Sequence, residues 1–244
     1  MEPWLDAYGR LFNPNPRVSV LPLAGERPCI VIDDVLANPD AVVAWAASQT
    51  FVSPAGNFYP GLVLDLPDAF AQRLVDVFTV HARGRLGGRR TLGATVRLAM
   101  VTTPPGKLDP CQWQCHRDRL GDAPESTLDV ASVLYLFRDP SLGGTSFYRP
   151  LRQIRQIRHM IAESLQLDAT SFGARYGVKP GYMMEGNAYF EHVARVPAAW
   201  NRMIFYDGGI FHSGDIGRPE ALNADPRTGR LSMNSFITCR TNTR

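Results

Sequence analysis

Three residues that commonly bind divalent metals, His116, Asp118 and the distant His212, restrict the possible folds of this chain more than any other feature. The spacing His116-x-Asp118 predicts that both side chains leave one face of an extended strand, because strand side chains alternate with a period of two. The second imidazole, His212, follows a Gly-Gly pair and comes from another strand. A fold that unites the two stretches would form a three-ligand metal site.

The composition is that of an ordinary globular protein, with 45% apolar and 20% charged residues. The length of 244 residues predicts one domain, 1–244. A net charge of +3 gives no indication of a nucleic-acid partner. No apolar run approaches the ~20 residues of a membrane span, and residues 1–4 do not resemble an export leader. The four cysteines lack Cys-x-x-Cys spacing, so we expect reduced thiols and a cytoplasmic protein.

Hydrophobic periodicity predicts a helical front with a first strand over residues 1–90, followed by a strand-rich region over 91–240. In the front, Asn38 and Pro39 provide the start signals of a helix. A second helix is predicted over 67–81. An insertion at 151–187 begins with a helix over 151–165, whose predicted apolar face consists of Leu151, Ile154, Ile157, Ile161 and Leu165. The predicted strands cover residues 28–34, 95–102, 111–118, 130–137, 143–148, 189–196, 202–206 and 230–239. Many short strands separated by turn signals favour a mainly β fold with flanking helices (α+β), either a barrel or a jelly roll.

The last predicted strand carries a second chemical pattern. Its period of two places Arg230, Ser232, Asn234 and Phe236 on one face. A planar guanidinium and a nearby hydroxyl together suit a carboxylate ligand. The alternative interpretation is that Arg230 is an ordinary surface residue on an edge strand.

Together these motifs resemble the Fe(II)/2-oxoglutarate-dependent dioxygenases, specifically small bacterial members of the prolyl-4-hydroxylase-like branch. The resemblance covers about residues 91–240 and implies a double-stranded β-helix core of the jelly-roll or cupin-like type. Its motifs are His116-x-Asp118, the strand 133–136, Gly143-Gly144-Thr145-x-Phe147, residues 205–212 and Arg230-x-Ser232.

The same resemblance implies the roles of individual residues. His116, Asp118 and His212 would hold the catalytic iron. Arg230 and Ser232 would bind the distal carboxylate of the cosubstrate 2-oxoglutarate, and Tyr135 would hydrogen-bond that cosubstrate. Dioxygen would be the oxidant. The implied activity is hydroxylation of an unactivated C–H bond, since Asp118 keeps the carboxylate that related halogenases replace with a small residue.

Several alternatives stay open at this point. The 18 positions between His212 and Arg230 exceed the family's usual separation of about ten, so Arg240 is a second candidate for the anion-binding residue. His192 is a rival for the third metal ligand. The function could also be that of a non-catalytic cupin-type barrel that binds a metal or ligand, or of a zinc hydrolase.

We expect the substrate to be a small molecule, an amino acid or a peptide side chain, with neither nucleic acid nor membrane as a partner. The 151–187 insertion suits a substrate lid or a dimer contact, so a homodimer is a further expectation. Four arginines predicted near the mouth of the barrel would suit an anionic group: Arg117, Arg119, Arg138 and Arg149.

Overall fold

The structure is a computed structural model that describes residues 11–23, 25–54, 58–118 and 126–241. Ten strands and four α-helices lie in these ranges. The strands are β1 (Arg17–Leu21), β2 (Cys29–Asp33), β3 (Gly61–Asp65), β4 (Gly88–Val101), β5 (Thr127–Tyr135), β6 (Thr145–Pro150), β7 (Phe190–Val196), β8 (Arg202–Asp207), β9 (Phe211–Gly214) and β10 (Arg230–Thr241). The helices are α1 (Pro39–Ala46), α2 (Asp68–Phe78), α3 (Ile154–Ser164) and α4 (Ala169–Tyr176).

The strands form two antiparallel sheets. The larger sheet has the order β1-β2-β8-β5-β10-β4-β3, and the smaller one has the order β7-β6-β9. In the larger sheet the long strand β10 lies between β4 and β5, with Ser232 opposite both Ala99 and Tyr135. Because consecutive residues point to opposite faces, this register decides which side chains of β10 enter the space between the sheets.

One face of the larger sheet packs against the helices of the front. Leu231, Met233 and Ile237 of β10 belong to a buried cluster that includes Phe70 and Leu74 of α2. The opposite face carries a second buried cluster, which joins Tyr135 and Tyr206 to Phe147 of the smaller sheet. The predicted fold class, a mainly β jelly-roll core with flanking helices, is confirmed.

The front contains both predicted helices, together with a π-helical turn and two strands, β1 and β3, that are not predicted. The Asn38 side chain accepts a hydrogen bond from the backbone N–H of Ala41 at 3.1 Å, which caps α1 as its sequence predicts. Helix α2 ends at Phe78, and a π-helical turn, Thr79–Arg83, follows it. Strand β1 is not among the predicted elements. It is a short edge strand that pairs with β2, with Arg17 opposite Asp33 and Leu21 opposite Cys29.

The predicted strand over 111–118 is wrong. Residues Pro110–Trp113 form a 3₁₀ turn, in which the Asp109 side chain and Gln112 make a reciprocal capping box. The Trp113 indole N–H donates to the carbonyl of Leu108 and closes the turn. This local hydrogen bonding competes with a sheet ladder, so only a single β-bridge at His116 remains extended.

The insertion contains two helices rather than one. Helix α4 has an Asp168 N-cap and a left-handed Gly177 after its last turn, but its eight residues bury only Phe172. Such a short segment gives little periodicity to detect. The predicted apolar face of α3 is also only partly correct. Ile157 and Met160 are buried, whereas three of the predicted members are exposed, with 49%, 41% and 52% of their surfaces accessible: Leu151, Ile154 and Leu165.

Asn201 joins the front of the molecule to the larger sheet. Its side chain accepts a hydrogen bond from the N–H of Leu36 at 2.9 Å and donates one to the carbonyl of the same residue at 3.0 Å. Its backbone is left-handed, with φ of 60°, and its own N–H donates to Tyr135. Asparagine tolerates this conformation better than other non-glycine residues.

We predict that Asn201→Ala lowers the free energy of unfolding by about 3 kcal/mol, because it leaves two buried backbone groups unpaired and strains a left-handed residue. Asn201→Gly removes the hydrogen bonds without the strain and should cost about 1 kcal/mol less. Urea unfolding of the three proteins measures both values. An alanine variant within about 0.5 kcal/mol of wild type would contradict the assigned role.

Candidate metal centre

Two reciprocal backbone hydrogen bonds bring the distant histidines together. The N–H of His116 donates to the carbonyl of His212, and the N–H of His212 donates back, each at 2.9 Å. The imidazole ring centroids lie 4.5 Å apart as a result. Asp118 is fixed separately, because its N–H donates to the carbonyl of Gly208 at 3.0 Å in the turn before β9.

The three side chains converge as predicted, although 116–118 is not a strand. One ligand atom from each residue lies within 4.8 Å of the other two. The His116 Nε2 atom is 3.6 Å from Asp118 Oδ1, and His212 Nε2 is 3.3 Å from Asp118 Oδ2. Two imidazole nitrogens and one carboxylate therefore face a common point.

The protonation of His212 follows from its neighbour. Its Nδ1 lies 2.9 Å from the carbonyl oxygen of Ile210, which can only accept, so Nδ1 carries the hydrogen. In the neutral ring the lone pair is then on Nε2 and points at the carboxylate. The buried Asp118 Oδ2 has no hydrogen bond of its own among the described residues.

Two facing electron pairs 3.3 Å apart require a cation between or beside them. A proton can meet this need in part. Burial alone would lower the pKa of His212, but the Asp118 carboxylate more than offsets it and raises that pKa. Burial likewise would raise the pKa of Asp118, yet His212 and His116 hold it well below its usual value. A divalent metal fits the same donor set, which contains two imidazoles, one carboxylate and a fixed tautomer.

The centre is open on one side. His212 is buried and Asp118 nearly so, whereas 59% of the His116 side chain is accessible. The buried ring of Tyr206 lies 4.7 Å from the His212 ring and forms the inner wall. Access therefore comes from the side of His116.

The predicted carboxylate-binding residues lie on the inner face of the larger sheet. Arg230 is buried, and its Nε and Nη2 atoms donate to the carbonyls of Leu142, Gly143 and Gly144 at 2.9 to 3.2 Å. Gly143 is required in this turn, since its φ is 91° and an added Cβ would lie 1.7 Å from the carbonyl oxygen of Asp215. Arg230 forms no ion pair within the described ranges.

Tyr135 and Ser232 lie opposite each other in the register of β5 and β10. The Tyr135 hydroxyl shares a hydrogen bond of 2.8 Å with Thr145 of β6 and so links the two sheets. The Ser232 hydroxyl donates to the carbonyl of Ala99 at 3.4 Å. The three residues predicted to bind the cosubstrate thus share the inter-sheet layer that contains the metal-binding side chains.

The alternative residues lie elsewhere. Arg240 is exposed, ten positions along β10 from Arg230, a distance of about 33 Å on an extended strand. His192 is outside the three-residue cluster and contacts the hydroxyl of Ser146 at 3.2 Å.

Two of the four arginines predicted near the mouth pair with acidic residues. Arg138 pairs with Asp40 on the surface, and Arg149 pairs with Glu191. Arg117 stacks on the ring of Phe211 at 4.3 Å. Arg119 lies outside the described residues.

A family of unknown function, DUF6445, matches residues 14–237. The chain belongs to this family. No curated protein matches this chain. No helix among the described residues is long and apolar enough to cross a membrane.

Several solved structures are similar to this DUF6445 protein. The non-heme alpha ketoglutarate dependent epimerase SnoN of nogalamycin biosynthesis is 12% identical, with a TM-score of 0.47, over 88% of this chain and 79% of that one. HygX of Streptomyces hygroscopicus, solved with nickel and 2-oxoglutarate, is 11% identical, with a TM-score of 0.46, over 87% and 83%. A Pseudomonas putida prolyl-4-hydroxylase is 15% identical, with a TM-score of 0.42, over 90% and 95%. These similarities agree with the resemblance to Fe(II)/2-oxoglutarate-dependent enzymes that the sequence motifs carry.

We predict that the DUF6445 protein binds one divalent metal ion per chain. His212→Ala or Asp118→Ala should weaken metal binding by more than about 100-fold, because the loss of a residue that only hydrogen-bonds to a metal ligand already costs about 10–100-fold in affinity. The matched control is His192→Ala, which removes an imidazole outside the cluster and should bind as wild type does. Calorimetric titration with Fe(II) or Ni(II) under anaerobic conditions measures the affinity. Loss of binding in His192→Ala with retention in His212→Ala would contradict the assignment.

Proposed function

We propose that this protein is a non-heme Fe(II)- and 2-oxoglutarate-dependent dioxygenase that hydroxylates a C–H bond of a small molecule, an amino acid or a peptide side chain. The convergence of His116, Asp118 and His212 on one point is the observation that supports this proposal most strongly. The overall reaction would convert substrate, dioxygen and 2-oxoglutarate into hydroxylated substrate, succinate and carbon dioxide.

The three side chains would hold Fe(II) on one face and leave its other positions free for cosubstrate and dioxygen. Bound iron and 2-oxoglutarate would supply the oxidising chemistry. The hydrogen bond from His212 Nδ1 to Ile210 fixes the tautomer that presents Nε2 as a ligand. The exposed side of His116 leaves a path for substrate, while the Tyr206 wall limits access from the interior.

The environment of Arg230 supports the assignment of the distal carboxylate of 2-oxoglutarate. Three backbone carbonyls hold the guanidinium through Nε and Nη2, and the described hydrogen bonds do not use Nη1. A buried guanidinium without an anion is costly, so a carboxylate ligand would stabilise it. Ser232 and Tyr135 lie in the same layer and would contribute hydroxyl groups.

We predict that Arg230→Gln weakens 2-oxoglutarate binding to the metal-loaded protein by about 100-fold, equivalent to ~3 kcal/mol for a charge-assisted hydrogen bond. Arg240→Gln removes the same charge from the exposed part of the same strand and should leave the affinity unchanged. Calorimetry on the nickel-loaded protein measures binding without turnover. Succinate release by the iron-loaded protein, stimulated by substrate and lost in Asp118→Ala, tests the reaction itself.

Two observations, one from this calorimetry and one from metal analysis of the purified protein, would contradict the proposal. A wild-type protein that binds metal but shows no affinity for 2-oxoglutarate would be a cupin-type binding barrel. A protein that retains zinc, and not iron, after anaerobic purification would favour the hydrolase alternative.

A further inference from the structure

A second arginine, Arg97, lies on the inner face of the larger sheet and forms no ion pair among the described residues. It occupies β4 directly opposite Asn234 of β10. Its guanidinium carbon is 5.3 Å from the ring centroid of Tyr59 and 5.3 Å from that of Phe236. Two aromatic rings thus hold the cation in place and leave its hydrogen-bond donors available.

Unused hydrogen-bonding groups mark this position. The Nε atom of Arg97 is buried and donates to no acceptor in the described part of the chain. The Oδ1 atom of Asn234 is also buried and accepts no hydrogen bond there. The two residues are cross-strand partners and could pair with each other, but the guanidinium stacks on the rings instead. Buried groups of this kind are normally satisfied, so a ligand that supplies both partners would stabilise them.

The one acidic residue directly across from Arg97 on β3 is Asp65. Its side chain is exposed, and no ion pair joins it to Arg97 among the described residues. Asp65 therefore leaves the cation free for an external anion.

Arg97 lies on the same sheet face as the proposed cosubstrate site, because Asn234 opposite it is two residues beyond Ser232 on β10. Phe236 lies opposite Ala131, and Ala131 lies opposite Tyr206, the inner wall of the metal centre. Neighbouring strands are about 4.8 Å apart, so Phe236 is about 10 Å from Tyr206 across the sheet. Arg97 lies one strand further. A ligand at Arg97 would therefore extend across β10 and β5 toward Tyr206, about 14 Å away across the sheet.

We propose that Arg97 and Asn234 bind the substrate, and that this substrate is an organic carboxylate with a neighbouring hydrogen-bond donor, such as an α-amino acid. The guanidinium of Arg97 donates to the carboxylate, and Oδ1 of Asn234 accepts from the adjacent ammonium or amide N–H. The rings of Tyr59 and Phe236 cover the apolar part of the ligand. This assignment rests on the proposed dioxygenase function, because the site lies on the sheet face that carries Arg230 and Ser232.

The direct test uses nickel-loaded protein saturated with 2-oxoglutarate, titrated with each of the twenty free amino acids and with their methyl esters. At least one free amino acid should bind and raise the melting temperature, while its methyl ester should bind at least about tenfold more weakly. The proposal is overturned if no amino acid binds more tightly than its ester.

Variants then identify the residue responsible. Arg97→Gln should weaken binding of that amino acid by at least about tenfold and change 2-oxoglutarate affinity less than about twofold. Arg90→Gln removes an exposed arginine from the same strand and is the matched control, with both affinities unchanged. If Arg97→Gln weakens 2-oxoglutarate binding as strongly as Arg230→Gln, Arg97 belongs to the cosubstrate site and the assignment is overturned.

A second variant keeps the test valid if Arg97→Gln does not fold. Asn234→Asp places an internal carboxylate beside Arg97, so it should raise the melting temperature and weaken amino-acid binding. Wild-type amino-acid affinity in Asn234→Asp would overturn the proposal. If the wild-type protein fails to bind 2-oxoglutarate, the dioxygenase proposal fails, while amino-acid titration of the nickel-loaded protein alone still tests Arg97.

Discussion

The reciprocal backbone pairing of His116 and His212 is the interaction on which the site depends. Two hydrogen bonds join a loop that follows a 3₁₀ turn to the short strand β9. They align two imidazoles that are 96 positions apart in sequence. The adjoining bond from Asp118 to Gly208 brings the carboxylate to the same point. Backbone hydrogen bonds thus place three candidate metal-binding side chains close together.

The two sheets contribute different chemical groups to the space between them. The metal-binding side chains are held by the smaller sheet and the adjacent loop, whereas Arg230, Ser232 and Arg97 lie on the larger one. The acceptor atoms of the metal-binding side chains thus lie on one side of the interior, and the guanidinium and hydroxyl donors lie on the other. The carbonyls around Arg230 show how the fold stabilises a buried cation without a carboxylate of its own. A metal ion would satisfy the acceptors, and an anionic ligand would satisfy the donors.

Much of this arrangement is predictable from sequence. The alternation along β10 correctly separates Arg230 and Ser232 from Leu231 and Met233, because the pairing of β10 with β4 is regular from Arg230 to Thr238. The helix start at Asn38 is equally local. The likeness to dioxygenases follows from the order of several motifs rather than from one of them.

Other features depend on contacts that the sequence does not display. The capping box at Asp109 replaces a predicted strand, and His116 still reaches His212 through a single bridge. The importance of Arg97 appears only when β4 and β10 are paired, since its spacing from the other motifs carries no pattern. Arg138 and Arg149 illustrate the reverse case. Both are close to motifs in sequence, yet each pairs with an acidic residue on the surface.

Crystallography of the iron-loaded protein, with anomalous diffraction at the iron edge, tests the central assignment most directly. The account predicts one strong peak about 2.0–2.2 Å from the Nε2 atoms of His116 and His212 and from a carboxylate oxygen of Asp118. A peak coordinated by other residues, or an imidazole of His212 that stays out of bonding range, would contradict it.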